Sequence, residues 1–241
     1  MFRKLLLIAA MMATTPLVAG NHGIDTENVR KHLQSLYPAT TFTAVRPSPV
    51  DGLYEVVMGR NIAYTNELGT HFLFGHLFDM QQQKDITAEL LETLNRIDTA
   101  NLPLDDAIKT VHGNGQRHLY LFSDPDCPYC RQLEQELKQL DNVTIHTFLY
   151  PIAELHPQAA DKTRRIWCSD DRNAAWRALM DQGILPEADN SNCKNPIERN
   201  VRLAATLGIE GTPALILEDG QLVQGYKTAP ELENLLKGDK N

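Results

Sequence analysis

At 241 residues the chain has room for one large or two modest domains. Its 23 Lys and Arg against 31 Asp and Glu give a formal charge of −8, and such an acidic, evenly mixed surface argues against nucleic acid as a partner. Beyond the N-terminal segment nothing is apolar enough to span a bilayer, so no stable membrane association is expected.

The chain opens with Arg3 and Lys4, followed by an unbroken apolar stretch from Leu5 to Ala13. Leu17-Val18-Ala19 and Val18-Ala19-Gly20 then offer small or apolar residues around a cleavage point. This is the pattern of a secretory signal over residues 1–20, cleaved near 19–20. The apolar stretch falls short of the roughly 20 residues that cross a membrane. Cleavage would remove Arg3 and Lys4 and take the formal charge from −8 to −10. In an exported chain the four remaining cysteines, Cys127, Cys130, Cys168 and Cys193, suggest disulfides. They allow three connectivities, of which the short spacing favours 127–130 with 168–193.

Thr26 to Tyr37 reads as a helix capped by Thr26, with Val29, Leu33 and Leu36 as its apolar stripe and Pro38 as its stop. Four β-prone runs follow: Thr41–Val45, Leu53–Met58, Ile62–Thr65 and His71–Phe78. Turn residues such as Asp51-Gly52, Gly59 and Gly69 separate them, so this part is a small meander with a helix. After Gln81–Lys84 breaks the pattern, Asp85 can cap a helix carrying Ile86, Leu90, Leu91, Leu94 and Ile97, which ends near Asn101-Leu102-Pro103. That helix is either a spacer between two domains or an element that packs on the second.

In the second half a strand at 118–123 leads into Cys127-Pro128-Tyr129-Cys130 and a helix to residue 140, then a strand from Val143 to Leu149. Helical runs at Gln158–Trp167, Asn173–Gln182 and Ile197–Leu207 come next. Gly211-Thr212-Pro213, a strand at Ala214–Leu217, a turn at Asp219-Gly220, a strand at Leu222–Gly225 and a last helix at Pro230–Leu236 complete the chain. The order βαβ then ββα is that of a thioredoxin core, with the three helical runs as an insertion. The expected organisation is a signal over 1–20, a small α+β domain over 21–84, a linker helix over 85–103 and a thioredoxin-like catalytic domain over 104–241.

The two-residue spacing of Cys127 and Cys130 at a strand–helix junction is a candidate redox centre. With Cys127 at the N-cap, Pro128 falls at the first helical position, where its missing N–H costs nothing. The free N–H groups of Tyr129 and Cys130 then face the Cys127 sulfur, and they and the helix dipole favour a thiolate there. Cys127 is therefore the expected attacking sulfur, and Cys130, one step into the helix, the resolving one. Asp124 and Asp126 would oppose that thiolate if both were ionised. Asp124 reads first as a turn residue at the strand end, and alternatively as a buried group that helps move a proton when Cys130 reacts.

Cys168 and Cys193 read as a structural pair, because neither has a CxxC or a helix-start context. A zinc site made of all four thiols normally needs two short knuckles, and only one exists here. The eight histidines show no metal-ligand spacing; His71 and His76, on one expected strand, would face opposite sides. No phosphate loop, Ser/His/Asp pattern or dinucleotide fingerprint is present, so neither a cofactor nor a metal is expected.

Together these features resemble the DsbC/DsbG family of exported thiol–disulfide oxidoreductases. The resemblance rests on Phe122-Ser123-Asp124, Cys127-Pro128-Tyr129-Cys130, Ile166-Trp167-Cys168, Gly211-Thr212-Pro213-Ala214 and Leu222-Val223-Gln224-Gly225-Tyr226. It rests also on Ile62-Ala63-Tyr64-Thr65 and the run Leu73 to Asp79. It implies a V-shaped homodimer of cystatin-like α+β dimerisation domains, each joined by a linker helix to a thioredoxin fold. It implies a cis Pro213, with Thr212 and Pro213 beside the cysteines and the Thr212 backbone free to pair with an extended client. It places the dimer contact at His71, Leu73, Gly75 and Leu77. It further implies periplasmic location, disulfide isomerase and reductase activity on misfolded disulfide-containing proteins, chaperone-like binding, and a membrane thiol reductase of the DsbD type as electron donor. Pro128 is DsbG-like, where DsbC-type motifs carry Gly; Thr212 and the second cysteine pair are DsbC-like. An oxidase, a reductase of sulfenylated cysteines, or a non-redox chaperone or adhesion module are the alternatives.

Overall fold

The computed structural model describes residues 26–187 and 193–238, so the expected signal segment lies outside the described residues. Its contacts divide the chain into two compact units, residues 1–77 and 78–241.

In the first unit, helix α1 (Thr26–Leu36) packs Val29 and Leu33 onto a four-stranded antiparallel sheet. The sheet runs in the order β1 (Ala44–Pro47), β2 (Leu53–Met58), β3 (Asn61–Asn66), β4 (Phe72–Leu73). Thr26 is the first helical residue described rather than the cap that the sequence suggested. Phe42, Val45, Tyr54, Val56 and Ala63 complete the small core. The β-prone run His71–Phe78 is not one strand: only Phe72–Leu73 pairs with β3. Gly75, at φ +156°, takes a conformation open to glycine and interrupts it. His71 precedes the strand and His76 follows the break, so the two do not share one.

The second unit begins with a short ribbon, β5 (Phe78–Asp79) paired with β6 (Lys84–Asp85). Asp85 caps helix α2 (Ile86–Leu94), accepting the Ala88 N–H at 2.9 Å. The helix stops well short of residue 103. The chain beyond it turns to dock on the following domain: Ile97 is buried, its N–H donates to Gly220 O at 2.8 Å, and two 3-10 turns (Thr99–Asn101 and Leu104–Asp106) follow.

The central sheet has the order β11-β10-β8-β9-β7. β8 (Arg117–Ser123) and β9 (Val143–Leu149) are its parallel pair. β10 (Ala214–Leu217) and β11 (Leu222–Gln224) extend one side antiparallel, and β7 (Ile108–His112) the other. β7 was not expected. It is an edge strand with only Ile108 buried; polar Thr110 and His112 share its inward face while Val111 points out, so its β-branched residues show no apolar alternation.

Successive side chains of β8 point to opposite faces. Leu119 and Leu121 join Leu133 and Leu137 of α3 (Pro128–Leu137) and Leu232 of α7 (Ala229–Leu236) on one face. Tyr120 and Phe122 join Ile97, Leu102 and Ala204 on the other. Helices α4 (Ala159–Trp167), α5 (Arg172–Gln182) and α6 (Ile197–Leu207) form the insertion. Asn200 of α6 is wholly buried, and its amide donates to the carbonyls of Asp106 and Leu149, each at 3.2 Å. This ties the insertion to the end of β9.

Candidate functional site

β8 ends at Ser123, and Asp124 turns the chain into the helix that carries the cysteines. The Cys127 N–H donates to Asp124 O at 3.2 Å. Cys127 sits at the N-cap of α3 with φ −72° and ψ 120°, and Pro128 is the first helical residue. The Thr212–Pro213 peptide is cis. Thr212 lies against the sulfur: the Cys127 thiol donates to Thr212 O at 3.4 Å. Cys127, Pro128, Cys130, Thr212 and Pro213 thus converge, and Tyr129 stands beside them, 59% exposed.

Both cysteines are free thiols and both are buried. A hydrogen bond from the Cys130 thiol does most to hold Cys127 down at about 5, against the burial that raises it. The Cys130 N–H, Thr212 and the Tyr129 N–H act in the same direction. Cys130 is pushed far up, chiefly by burial and also by that same bond to Cys127. One sulfur is therefore a ready thiolate and the other a thiol held in reserve.

Asp124 is more than a turn residue. It is fully buried, and its Oδ1 accepts the Asp126 N–H at 2.8 Å while Oδ2 accepts the Ile152 N–H at 2.7 Å. Nδ1 of His156 lies 3.0 Å from the same Oδ2, with its ring N–H poorly aligned for a hydrogen bond. Asp126 is paired with Lys162 of α4, which neutralises the carboxylate next to Cys127. The anticipated conflict between two acidic residues and a thiolate is thereby reduced. His156 and Lys162 were not anticipated; both come to the site through the fold, and no local spacing announces them, while Ser123, quoted only as part of a motif, was given no role.

The insertion builds the apolar wall behind the cysteines. Ile166, Trp167, Trp176, Leu179 and Met180 share one cluster with Cys127, Cys130 and Leu149. Cys168 and Cys193 are joined in a disulfide, which removes two of the four thiols that a zinc site would need. Trp176 Nε1 donates to Glu134 at 2.9 Å; burial lifts the Glu134 carboxyl to about 7 despite that bond. Among the described residues no group of three or more His, Cys, Asp or Glu is arranged to hold a metal ion.

The residues expected at a dimer contact are not near this site in sequence or in element. Leu73 lies on the edge strand β4 and is 55% exposed, with Phe74 beside it at 72%. His71 precedes that strand, and Gly75 and Leu77 lie in the segment after it.

Two family models match the chain: a disulfide bond isomerase protein N-terminal domain at residues 20–88 and a thioredoxin-like domain at residues 104–238. The probable thiol:disulfide interchange protein DsbC of Bordetella parapertussis is 38% identical over 205 residues, covering 85% of this chain and 72% of that protein. The chain belongs to the DsbC family. The DsbC of Dickeya dadantii is 30% identical over 199 residues, 81% of each chain. The crystal structure of a disulfide interchange protein from Neisseria gonorrhoeae is 41% identical, with a TM-score of 0.54 over 57% of this chain and 98% of that one. The fold expected from the sequence, a DsbC N-terminal domain followed by a thioredoxin fold, is the fold found, and the activity is that of a thiol–disulfide oxidoreductase.

Proposed function

We propose that this DsbC-family member is a periplasmic disulfide isomerase and reductase for misfolded exported proteins, with Cys127 attacking and Cys130 resolving. The observation that carries the reading is the pairing of a thiol lowered to about 5 with a buried thiol held high, beside the cis Thr212–Pro213 peptide. The Cys127 thiolate attacks one sulfur of a client disulfide, forming a Cys127–client bond and releasing the other client sulfur as a thiolate. In isomerisation a client thiolate then attacks the bonded client sulfur, and Cys127 leaves unchanged. In reduction the Cys130 thiol loses its proton and attacks Cys127; the 127–130 disulfide forms, the client leaves as a thiolate, and two electrons pass to it. A membrane thiol reductase of the DsbD type would return the dithiol.

The remaining parts follow from the same reading. Thr212 supplies backbone to an extended client segment. Asp124 and Tyr129 support the site. Residues 1–20 direct export, consistent with the N-terminal family match starting at residue 20. His71, Leu73, Gly75 and Leu77 form the contact of a homodimer, whose two arms raise the effective concentration of catalytic site for one client and whose exposed apolar residues hold it. Refolding of scrambled ribonuclease tests the proposal: Cys127→Ala is expected to abolish the rescue seen with wild type, and undiminished rescue would refute it. Leu73→Asp is expected to yield monomers in sedimentation. A 127–130 pair found mostly oxidised in cells would favour an oxidase instead.

A further inference from the structure

Resolution asks something difficult of Cys130. It is 1% exposed, lies in an apolar cluster with Trp167 and Trp176, and must nevertheless carry a negative charge as it attacks. Two groups at the end of β8 oppose the burial: the Ser123 side chain and the Asp124 backbone. Ser123 Oγ is wholly buried and makes no well-formed hydrogen bond to any other described residue, so it is left to serve the Cys130 sulfur when the thiolate forms. Donors fixed in place before charge develops stabilise it more than donors that must rearrange.

What fixes them is the Asp124 carboxylate. It ties its own turn to Asp126 and ties the strand end to the 152–156 turn, in which the N–H groups of Leu155 and His156 both bond to Ile152 O. His156 closes this turn and stands against Asp124 Oδ2 at 3.0 Å, with its side chain 23% exposed. Lys162 holds Asp126 from the other side. We propose that the Asp124–His156 pair is a positioning device for the resolving half-reaction: it holds Ser123 Oγ and the Asp124 N–H where the Cys130 thiolate forms. This rests on the reading that Cys127 attacks and Cys130 resolves. His156 touches neither sulfur and acts through Asp124.

The two half-reactions can be timed separately with an aromatic disulfide such as dithiobis(nitrobenzoate) in excess over the reduced full-length protein. Attack by Cys127 releases one coloured thiolate and leaves a mixed disulfide. Attack by Cys130 on Cys127 then forms the 127–130 disulfide and releases the second, at a rate independent of reagent concentration. In His156→Leu the second release is expected to slow by about tenfold, within the roughly 10²-fold that a misplacement away from the chemistry can cost, with the first within twofold of wild type. His156→Asn, whose amide nitrogen can stand in for Nδ1, is expected to restore most of the second rate. Equal second rates in wild type and His156→Leu would overturn the proposal, as would equal slowing of both steps or His156→Asn behaving like His156→Leu. If His156→Leu fails to fold, the comparison of His156→Asn with His156→Gln, whose longer side chain displaces the donor, decides in the same way: equal rates refute. Failure of the underlying reading looks different: Cys127→Ala, left with the buried Cys130 thiol alone, would then release its one equivalent as fast as Cys130→Ala does.

Discussion

One neighbour does more than any other to make Cys127 acidic. The Cys130 thiol is the largest of the groups that stabilise its thiolate, ahead of the helix-start amides. Cys130→Ala is therefore expected to raise the midpoint seen in thiolate ultraviolet absorbance by about a unit or more from its value near 5; an unchanged midpoint would assign the effect to the amides alone. Because the folded value lies below the roughly 8.5 of a free thiol, the unfolded dithiol chain binds more protons between those values. The contribution of Cys127 to stability should therefore rise with pH across that window. At this scale the cysteines and Pro128 were legible because a helix start has a local signature, whereas the cis Pro213 and its place with Thr212 beside them came only from the family resemblance. The role of Asp124 was only half legible. Its turn chemistry lies in the adjacent residues, but its partner His156 is brought in by the loop after β9, and no spacing encodes that meeting.

Elements with continuous apolar runs or clear caps emerged where expected: β2 at Leu53–Met58, α6 at Ile197–Leu207, β10 at Ala214–Leu217. Those that depend on a distant neighbour did not. β7 exists because β9 offers an edge, and the expected long linker helix ends early because Ile97 finds a hydrophobic pocket of the sheet face. The seam that receives it is narrow. A Cβ on Gly220, at φ +87°, would stand 2.1 Å from Ile97 O. Gly220→Ala should cost about 2–4 kcal/mol, from left-handed strain and overpacking together, read by urea denaturation. A change below half of that would mean the seam yields easily.

For the whole molecule, two titratable groups, one buried and one partly buried, pull stability in opposite directions with pH. His146 is buried among Tyr120 and His118 with both ring nitrogens unpartnered, and burial lowers it to about 4. Its unfolded value is near 6.5, so the unfolded state gains protons first and stability falls as pH drops from there toward 4. Glu134, raised to about 7, keeps its proton in the fold above its unfolded value near 4.3, so stability falls as pH rises through 7. The two slopes are expected to separate in mutants: His146→Phe should flatten the acid side and Glu134→Gln the neutral side of a stability–pH curve, each by roughly 2–3 kcal/mol at most. Parallel curves for wild type and both variants would rule this out.

The buried amide of Asn200 carries a practical lesson for anyone wishing to pare the catalytic unit to a minimal scaffold. Excising the three inserted helices would take the Asn200 amide from the Asp106 and Leu149 carbonyls, expose Cys130 to solvent and bare the sheet face that α6 now covers. The insertion cannot be trimmed away as ornament: it is the back wall without which the reserve thiol would cease to be one.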